Sequence, residues 1–212
     1  LQELFKKLEL PFDVFRALHK EAKRIGIEFL STPFDEESAD FLDDLGVNAF
    51  KIASGDITHR PLIEHVSRKG KPVLLSTGMS TIEEIEKAID WMHSLSNDQI
   101  VLLHCVSSYP AKPEELNLKS VQFLRDRFGL PVGLSDHSVG PLGSVVATSI
   151  AAQVIERHFM IESRGDTPDV AVSKDAKTLK GHIEELRTIG LILGERGKFA
   201  SEAETKNKTA SR

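Results

Sequence analysis

GKPVLLSTGMSTIEEIEKAIDWM, Gly70–Met92, spells out one strand, one loop and one helix in a row. Pro72–Ser76 (PVLLS) is a nearly unbroken apolar run that ends on a hydroxyl. Runs apolar on both faces are what a parallel sheet needs, because helices cover it. Ser80 then reads as a helix N-cap with Glu83 at the third helical position, the pattern of a capping box. Ile82, Ile85, Ala88, Ile89 and Met92 follow at helical spacing on one face. The same grammar extends in both directions. Ile27–Ser31 (IEFLS), Ala49–Ser54 (AFKIAS), Ile100–Cys105 (IVLLHC), Pro131–Ser135 (PVGLS) and Val154–Phe159 (VIERHF) are further strand-like runs. Successive runs end 22–30 residues apart, the length of a strand–loop–helix–loop unit. Helical periodicity also marks Phe12–Ile25 and Leu179–Leu193, and Gly26, Gly46, Gly70 and Gly129 stand where helix C-caps belong. Six units are therefore predicted, with a helix ahead of the first strand. A closed eight-unit barrel takes about 250 residues, so the chain is about two units short of one. The alternative is an open, doubly wound sheet, but no G-x-G-x-x-G follows the first run.

Composition narrows the function. With 212 residues the chain can bury a substantial core. A net charge of −5 without a basic stripe argues against a nucleic-acid partner. No apolar run approaches the roughly 18 residues of a membrane span, which argues against a membrane partner. One cysteine, Cys105, rules out an internal disulfide and fits a reducing, cytoplasmic setting. The chain starts at Leu1 rather than Met, and reads as a piece of a longer product. Ser201–Arg212 is polar and reads as a linker or frayed tail.

In parallel α/β folds the chemistry gathers at the C-terminal ends of the strands. Those ends supply Ser31 and Thr32, Lys51 with Ser54 and Asp56, Ser76 and Thr77, His104 with Ser107 and Tyr109, Ser135–Asp136–His137, and His158. His137 and His158 close consecutive strands, which lie about 4.8 Å apart. Two imidazoles so placed can share a metal ion and leave positions open for substrate; the plainer alternative is two buried, hydrogen-bonded histidines. His104 is a third ligand, a structural residue, or neither. His19, His59, His65, His93 and His182 read as surface residues. Lys51 sits inside an apolar run, and a buried ammonium needs an anionic partner. That partner is a carboxylate such as Asp56 or a ligand phosphate or carboxylate, and the serines at neighbouring strand ends favour the ligand. Gly55 and Gly78 allow close backbone approach. Glu156–Arg157 reads as a structural ion pair, and Cys105 as a packed strand residue without an assignable base.

FLSTPFD (Phe29–Asp35), KIASGD (Lys51–Asp56), PLIEHV (Pro61–Val66), KPVLLSTGM (Lys71–Met79), LLHCVSSYP (Leu102–Pro110), GLSDHS (Gly133–Ser138) and IERHF (Ile155–Phe159) together resemble the sialic acid synthases. Those enzymes condense phosphoenolpyruvate with N-acetylmannosamine or a related amino sugar. The resemblance implies a TIM-type (β/α)8 barrel followed by a small antifreeze-like domain. It makes the six runs barrel strands three to eight. Residues 1–200 would then be a partial barrel lacking its first two strands, and 201–212 the start of the linker. The resemblance implies that His137 and His158 hold a divalent metal, by default manganese, with magnesium or cobalt as alternatives. Lys51, Ser54, Ser76 and Ser135 match positions that hold the phosphate and carboxylate of phosphoenolpyruvate. Tyr109 lies in a substrate-contacting loop. Asp169, in Thr167-Pro168-Asp169, matches a sugar-binding acid that follows Gly-Pro in the family. Asp56 matches a catalytic carboxylate that is usually Glu, and Ser107 a phosphate-contacting position that is usually Asn. A homodimer is also implied.

The expected activity is thus a metal-dependent transferase reaction yielding a nonulosonic acid and phosphate, with legionaminic- and pseudaminic-type sugars equally compatible. Another phosphoenolpyruvate-condensing synthase making a 3-deoxy-2-keto sugar acid is the alternative enzyme. A barrel module that has lost activity is the non-enzymatic one.

Overall fold

A computed structural model describes residues 6, 8–161, 169–195 and 197–211. Helix α1 (Phe12–Ile25) and helix α2 (Glu36–Leu45) come first. Strands and helices then alternate: β1 (Phe50–Ile52), α3 (Arg60–Ser67), β2 (Val73–Ser76), α4 (Ile82–His93), β3 (Ile100–Cys105), α5 (Lys119–Phe128), β4 (Val132–Asp136), α6 (Leu142–Ser149), β5 (Ile155–Arg157), α7 (Ala176–Leu193) and α8 (Glu202–Ser211).

All four strand pairings are parallel and the spatial order is the chain order, β1-β2-β3-β4-β5. A doubly wound sheet reverses its order at a switch point. A strictly sequential order with right-handed crossovers keeps every helix on one side, as in a barrel wall. The predicted barrel-type α/β class therefore holds, and the open doubly wound alternative does not.

Alternation assigns the two faces. Phe50, Ile52, Val73, Leu75, Ile100, Leu102 and Val132 point toward the helices and are buried against Leu62, Ile63, Val66, Ile85, Ala88, Ile89, Met92, Val121 and Leu124. The residues between them, Lys51, Leu74, Ser76, Val101, Leu103 and Cys105, form the opposite, inner face.

Several local expectations are corrected. Ile27–Ser31 is not a strand: it runs between α1 and α2 without a ladder, with Ile27 and Leu30 exposed. A strand exists only where a neighbour completes its hydrogen bonds, and among the described residues β1 pairs with β2 alone. The capping box of α4 lies one residue later than predicted. Thr81 Oγ1 accepts from Glu84 N at 3.3 Å, and Glu84 Oε2 accepts from Thr81 N at 2.8 Å. Ser80 instead donates to the Gly78 carbonyl within the turn. Gly26, Gly46 and Gly129 are left-handed C-caps, whereas α3 ends at Arg68 and Gly70 lies two residues beyond. The tail forms α8, started by a capping box between Ser201 and Glu204, rather than a frayed segment. No helix among the described residues is long and apolar enough to cross a membrane.

Candidate active site

The inner face at the C-terminal strand ends carries two adjoining groups of side chains. The first surrounds the turn after β2. Gly78 N–H donates to Ser54 Oγ at 2.9 Å. A Cβ at Gly78 would overlap Ser107 Oγ and lie 2.9 Å from Ser54 Oγ and 3.2 Å from Cys105 Sγ. Glycine is therefore required there to let side chains from the turn after β1 and from the end of β3 and its loop meet the backbone. Ser76, at the end of β2, is buried with its Oγ unpartnered among the described residues. A buried hydroxyl without an acceptor is costly, and such groups mark places where a ligand or water completes the bonding.

Lys51 projects from β1 onto the same face, its side chain only 13% exposed. Its partner is Glu156 of β5, Oε2 at 3.4 Å, and not Asp56. The other carboxylate oxygen of Glu156 accepts from Ser135 Oγ at 3.0 Å. Glu156 and Arg157 are consequently not paired with each other. Adjacent strand residues face opposite ways, and Arg157 pairs with Asp136 on the helix side. Glu156 is a site residue that the strand-end survey missed. The signal was present: Glu156 is two residues before His158, and so shares its face.

The second group is aromatic. The rings of His137 and His158 lie 5.2 Å apart, and Tyr109 sits against both, at 4.0 and 5.7 Å between centroids. His137 Nδ1 lies 2.9 Å from the Val106 carbonyl. A carbonyl only accepts, so Nδ1 carries the proton, and in the neutral ring Nε2 is the nitrogen with the lone pair. Cys105 Sγ lies 3.8 Å from the same nitrogen. Burial pushes the Cys105 thiol up, but His137, Ser54 and Ser135 outweigh it and hold it below the usual thiol range. Burial pushes His137 down, but Cys105 and the Val106 carbonyl raise it overall. Burial lowers His158, with His137 and Arg157 adding to the effect and Asp169 and Glu156 opposing it. Asp169 Oδ2 lies 3.6 Å from His158 Nδ1. Thr167 and Pro168 of its motif lie outside the described residues.

The metal expectation can be tested on these donors. Among the described residues no set of three or more His, Cys, Asp or Glu gathers as a metal cage. Two imidazoles on adjacent strand ends, one with its tautomer fixed by a backbone carbonyl and the other beside a carboxylate, fit a two-ligand open site. His104 takes no part: its Nε2 meets the Leu116 carbonyl at 2.7 Å. That places it on the helix side as a structural residue.

The structure thus brings together Lys51, Ser54, Ser76, Ser107 and Ser135 in one cradle, and Tyr109, His137, His158 and Asp169 beside it. Asp56 occupies a 3-10 turn (Ser54–Asp56), half-buried, and its carboxylate makes no hydrogen bond or ion pair among the described residues. Burial pushes that carboxyl up, partly offset by His59. His182, expected at the surface, is instead 4% exposed against the inner side of α7.

A parallel barrel wall whose strand ends gather an ammonium, serine hydroxyls, a glycine turn and a histidine pair has the layout of a (β/α)-barrel site. More particularly, the chain matches the NeuB family over residues 1–198 and belongs to it. It is 44% identical over 202 residues to an uncharacterised protein of Methanocaldococcus jannaschii, covering 95% of this chain and 60% of that protein. It is 42% identical over 207 residues to the N,N'-diacetyllegionaminic acid synthase of Legionella pneumophila, covering 95% and 58%. In structure it is similar to the N-acetylneuraminic acid (sialic acid) synthetase of Leptospira borgpetersenii crystallised with citrate. The TM-score is 0.91 at 32% identity, over 97% of this chain and 72% of that one. The chain spans about three fifths of the length of the curated relatives it matches.

Proposed function

We propose that this chain forms the catalytic barrel wall of a nonulosonic acid synthase, which joins phosphoenolpyruvate to an N-acetylated amino sugar and releases phosphate. The observation that carries this reading is the pairing of an anion cradle with a histidine pair on one face. Lys51 supplies a fixed ammonium. Ser54, Ser76, Ser107 and Ser135 supply hydroxyls, and the turn at Gly78 lets Ser54 and Ser107 close in on its backbone. These groups suit the phosphate and carboxylate of phosphoenolpyruvate. Glu156 holds Lys51 and Ser135 in place before ligand arrives, so little reorganisation accompanies binding.

His137 and His158 are the residues that would hold a divalent cation, manganese by default, and the chemistry such an ion supplies is polarisation of the sugar's aldehyde oxygen. Tyr109 packs against both rings, tilted over His137 and edge-on to His158. Asp169, beside His158, would accept from sugar hydroxyls. Overall, C3 of phosphoenolpyruvate bonds to the aldehyde carbon, whose oxygen gains a proton. Water adds at C2, giving up its proton, and phosphate departs with C–O cleavage. Asp56 is the proton carrier in this reading, because a carboxyl raised by burial exchanges protons closer to neutral pH.

The acceptor is an N-acetylated or N,N'-diacetylated sugar, as the names of the relatives suggest. The test is phosphate release from phosphoenolpyruvate with N-acetylmannosamine or a diacetamido sugar plus Mn²⁺, with the product identified by mass spectrometry. A ³¹P titration with phosphoenolpyruvate alone accompanies it. Binding lost in Lys51→Met supports the reading, whereas neither binding nor release in the native protein overturns it.

A further inference from the structure

His158 is presented by a weak element. Strand β5 has three residues and, among the described residues, pairs on one side only, with β4. Short edge strands open easily, yet this one must keep Glu156 and His158 in register with Ser135 and His137. The backbone of His158 is tied from beyond by Lys174, whose N–H donates to the His158 carbonyl at 3.0 Å. That bond fixes the loop after β5 but not the spacing between the two strands.

The other side of the sheet holds a denser connection. Asp136 and Arg157 are register partners in β4 and β5, each one residue before a site histidine. Both point toward the helices, and their side chains are 0% and 4% exposed. Arg157 Nη1 donates to Asp136 Oδ2, and Nη2 donates to the Ser138 carbonyl at 2.8 Å, past the end of β4. Asp136 Oδ1 also accepts from Ser138 N at 2.9 Å and Ser138 Oγ at 2.6 Å, and Oδ2 from Ser144 Oγ of α6 at 2.5 Å. Helix α6 approaches so closely that a Cβ on Gly143 would stand 2.9 and 3.1 Å from the two carboxylate oxygens. One guanidinium therefore clamps the last residue of β4, the loop beyond His137 and, through Asp136, the start of α6.

We infer that Asp136 and Arg157 are positioning residues: their buried pair, on the face opposite the site, sets the separation of His137 and His158. This rests on the synthase reading for its purpose but not for its geometry. Alternation makes the coupling direct, since turning Arg157 moves Glu156 and His158 together. Partners one shell out from ligating histidines typically change metal affinity by about 10- to 100-fold when altered.

The test uses Arg157→Lys, whose single ammonium cannot serve both Asp136 and the Ser138 carbonyl, and Asp136→Asn, with Arg127→Lys on the surface as control. Two readouts are taken on the whole chain: Mn²⁺ affinity by EPR titration, and the ring ¹H–¹⁵N correlations of the histidines. The expected result is a folded variant whose His137 and His158 ring signals shift while those of His65 and His93 stay, with Mn²⁺ affinity lowered about tenfold or more. A folded variant with unmoved ring signals and native Mn²⁺ affinity overturns the inference. If the native chain takes up no Mn²⁺, the two-histidine metal reading falls, and the ring signals alone decide the positioning role. Should Arg157→Lys fail to fold, Asp136→Asn, which keeps the side chain's size and removes its charge from the pair, is decided by the same ring signals.

Discussion

At the scale of single residues, the site is defined by groups that the fold leaves unsatisfied or crowded. Ser76 Oγ is buried without a partner among the described residues, an arrangement that costs stability unless a ligand or water completes its bonding. Ser76→Ala is expected to leave thermal stability unchanged or slightly raised while weakening phosphoenolpyruvate binding about tenfold, as for loss of a hydrogen bond to a charged group. Calorimetric titration beside a melting curve separates the two effects, and a variant that melts lower but binds normally would show that the serine is structural. Gly78→Ala forces a methyl against Ser107, Ser54 and Cys105. Overpacking of this kind costs about 1–3 kcal/mol, and by displacing the two serines it is expected to weaken phosphoenolpyruvate binding as well. Chemical denaturation and ³¹P titration of the variant check both. The residue types of the cradle were legible from sequence because each sits at a strand end. Their partners were not: Lys51 reaches Glu156 across 105 positions of chain, where no local pattern connects them.

At the scale of elements, local chemistry set most boundaries and tertiary contacts set the exceptions. The capping box of α4 uses Thr81 and Glu84, while Ser80 is spent on the preceding turn. Thr81→Ala is therefore expected to destabilise the chain by about 1 kcal/mol. Ser80→Ala should change it by less than about 0.5 kcal/mol. Urea midpoints of the two variants distinguish the residues, and equal losses would mean the cap is shared. In β4, a Cβ on Gly133 would overlap the Val154 carbonyl and stand 2.8 Å from Leu103 Cδ2. Glycine there lets the chain before β5 approach the sheet, where Leu134 N donates to the Val154 carbonyl at 2.8 Å. Gly133→Ala should loosen β5 first, read as faster hydrogen exchange at Ile155–Arg157 than at Val73–Ser76.

At the scale of the whole molecule, buried histidines make stability depend on pH. Burial lowers His104, against the pull of the Leu116 carbonyl, and lowers His182, with Arg157 and Lys174 adding and Glu185 opposing. Both therefore stay neutral in the fold over a range where the unfolded chain takes up protons, starting near the usual histidine value of 6.5. Unfolding then binds protons, so this stability is complete above about pH 6.5 and is lost as pH falls toward the lower folded values. Melting temperature should drop between about pH 7.5 and 5.5, and His182→Leu, which also removes two buried ring nitrogens that make no hydrogen bond among the described residues, should make that drop shallower. A steeper slope in the variant would place the acid sensitivity elsewhere. By itself, the sequence determined the strand–loop–helix rhythm, the parallel α/β class and which residue types crowd the strand ends. All of these follow from periodicity, caps and turns within about 25 neighbouring residues. Only the tertiary structure decided that Ile27–Ser31 has no ladder, that Glu156 faces Lys51 while Arg157 faces Asp136, and that His182 is buried. Strand pairing, ion pairing and burial each require a second surface, and that surface comes from distant parts of the chain.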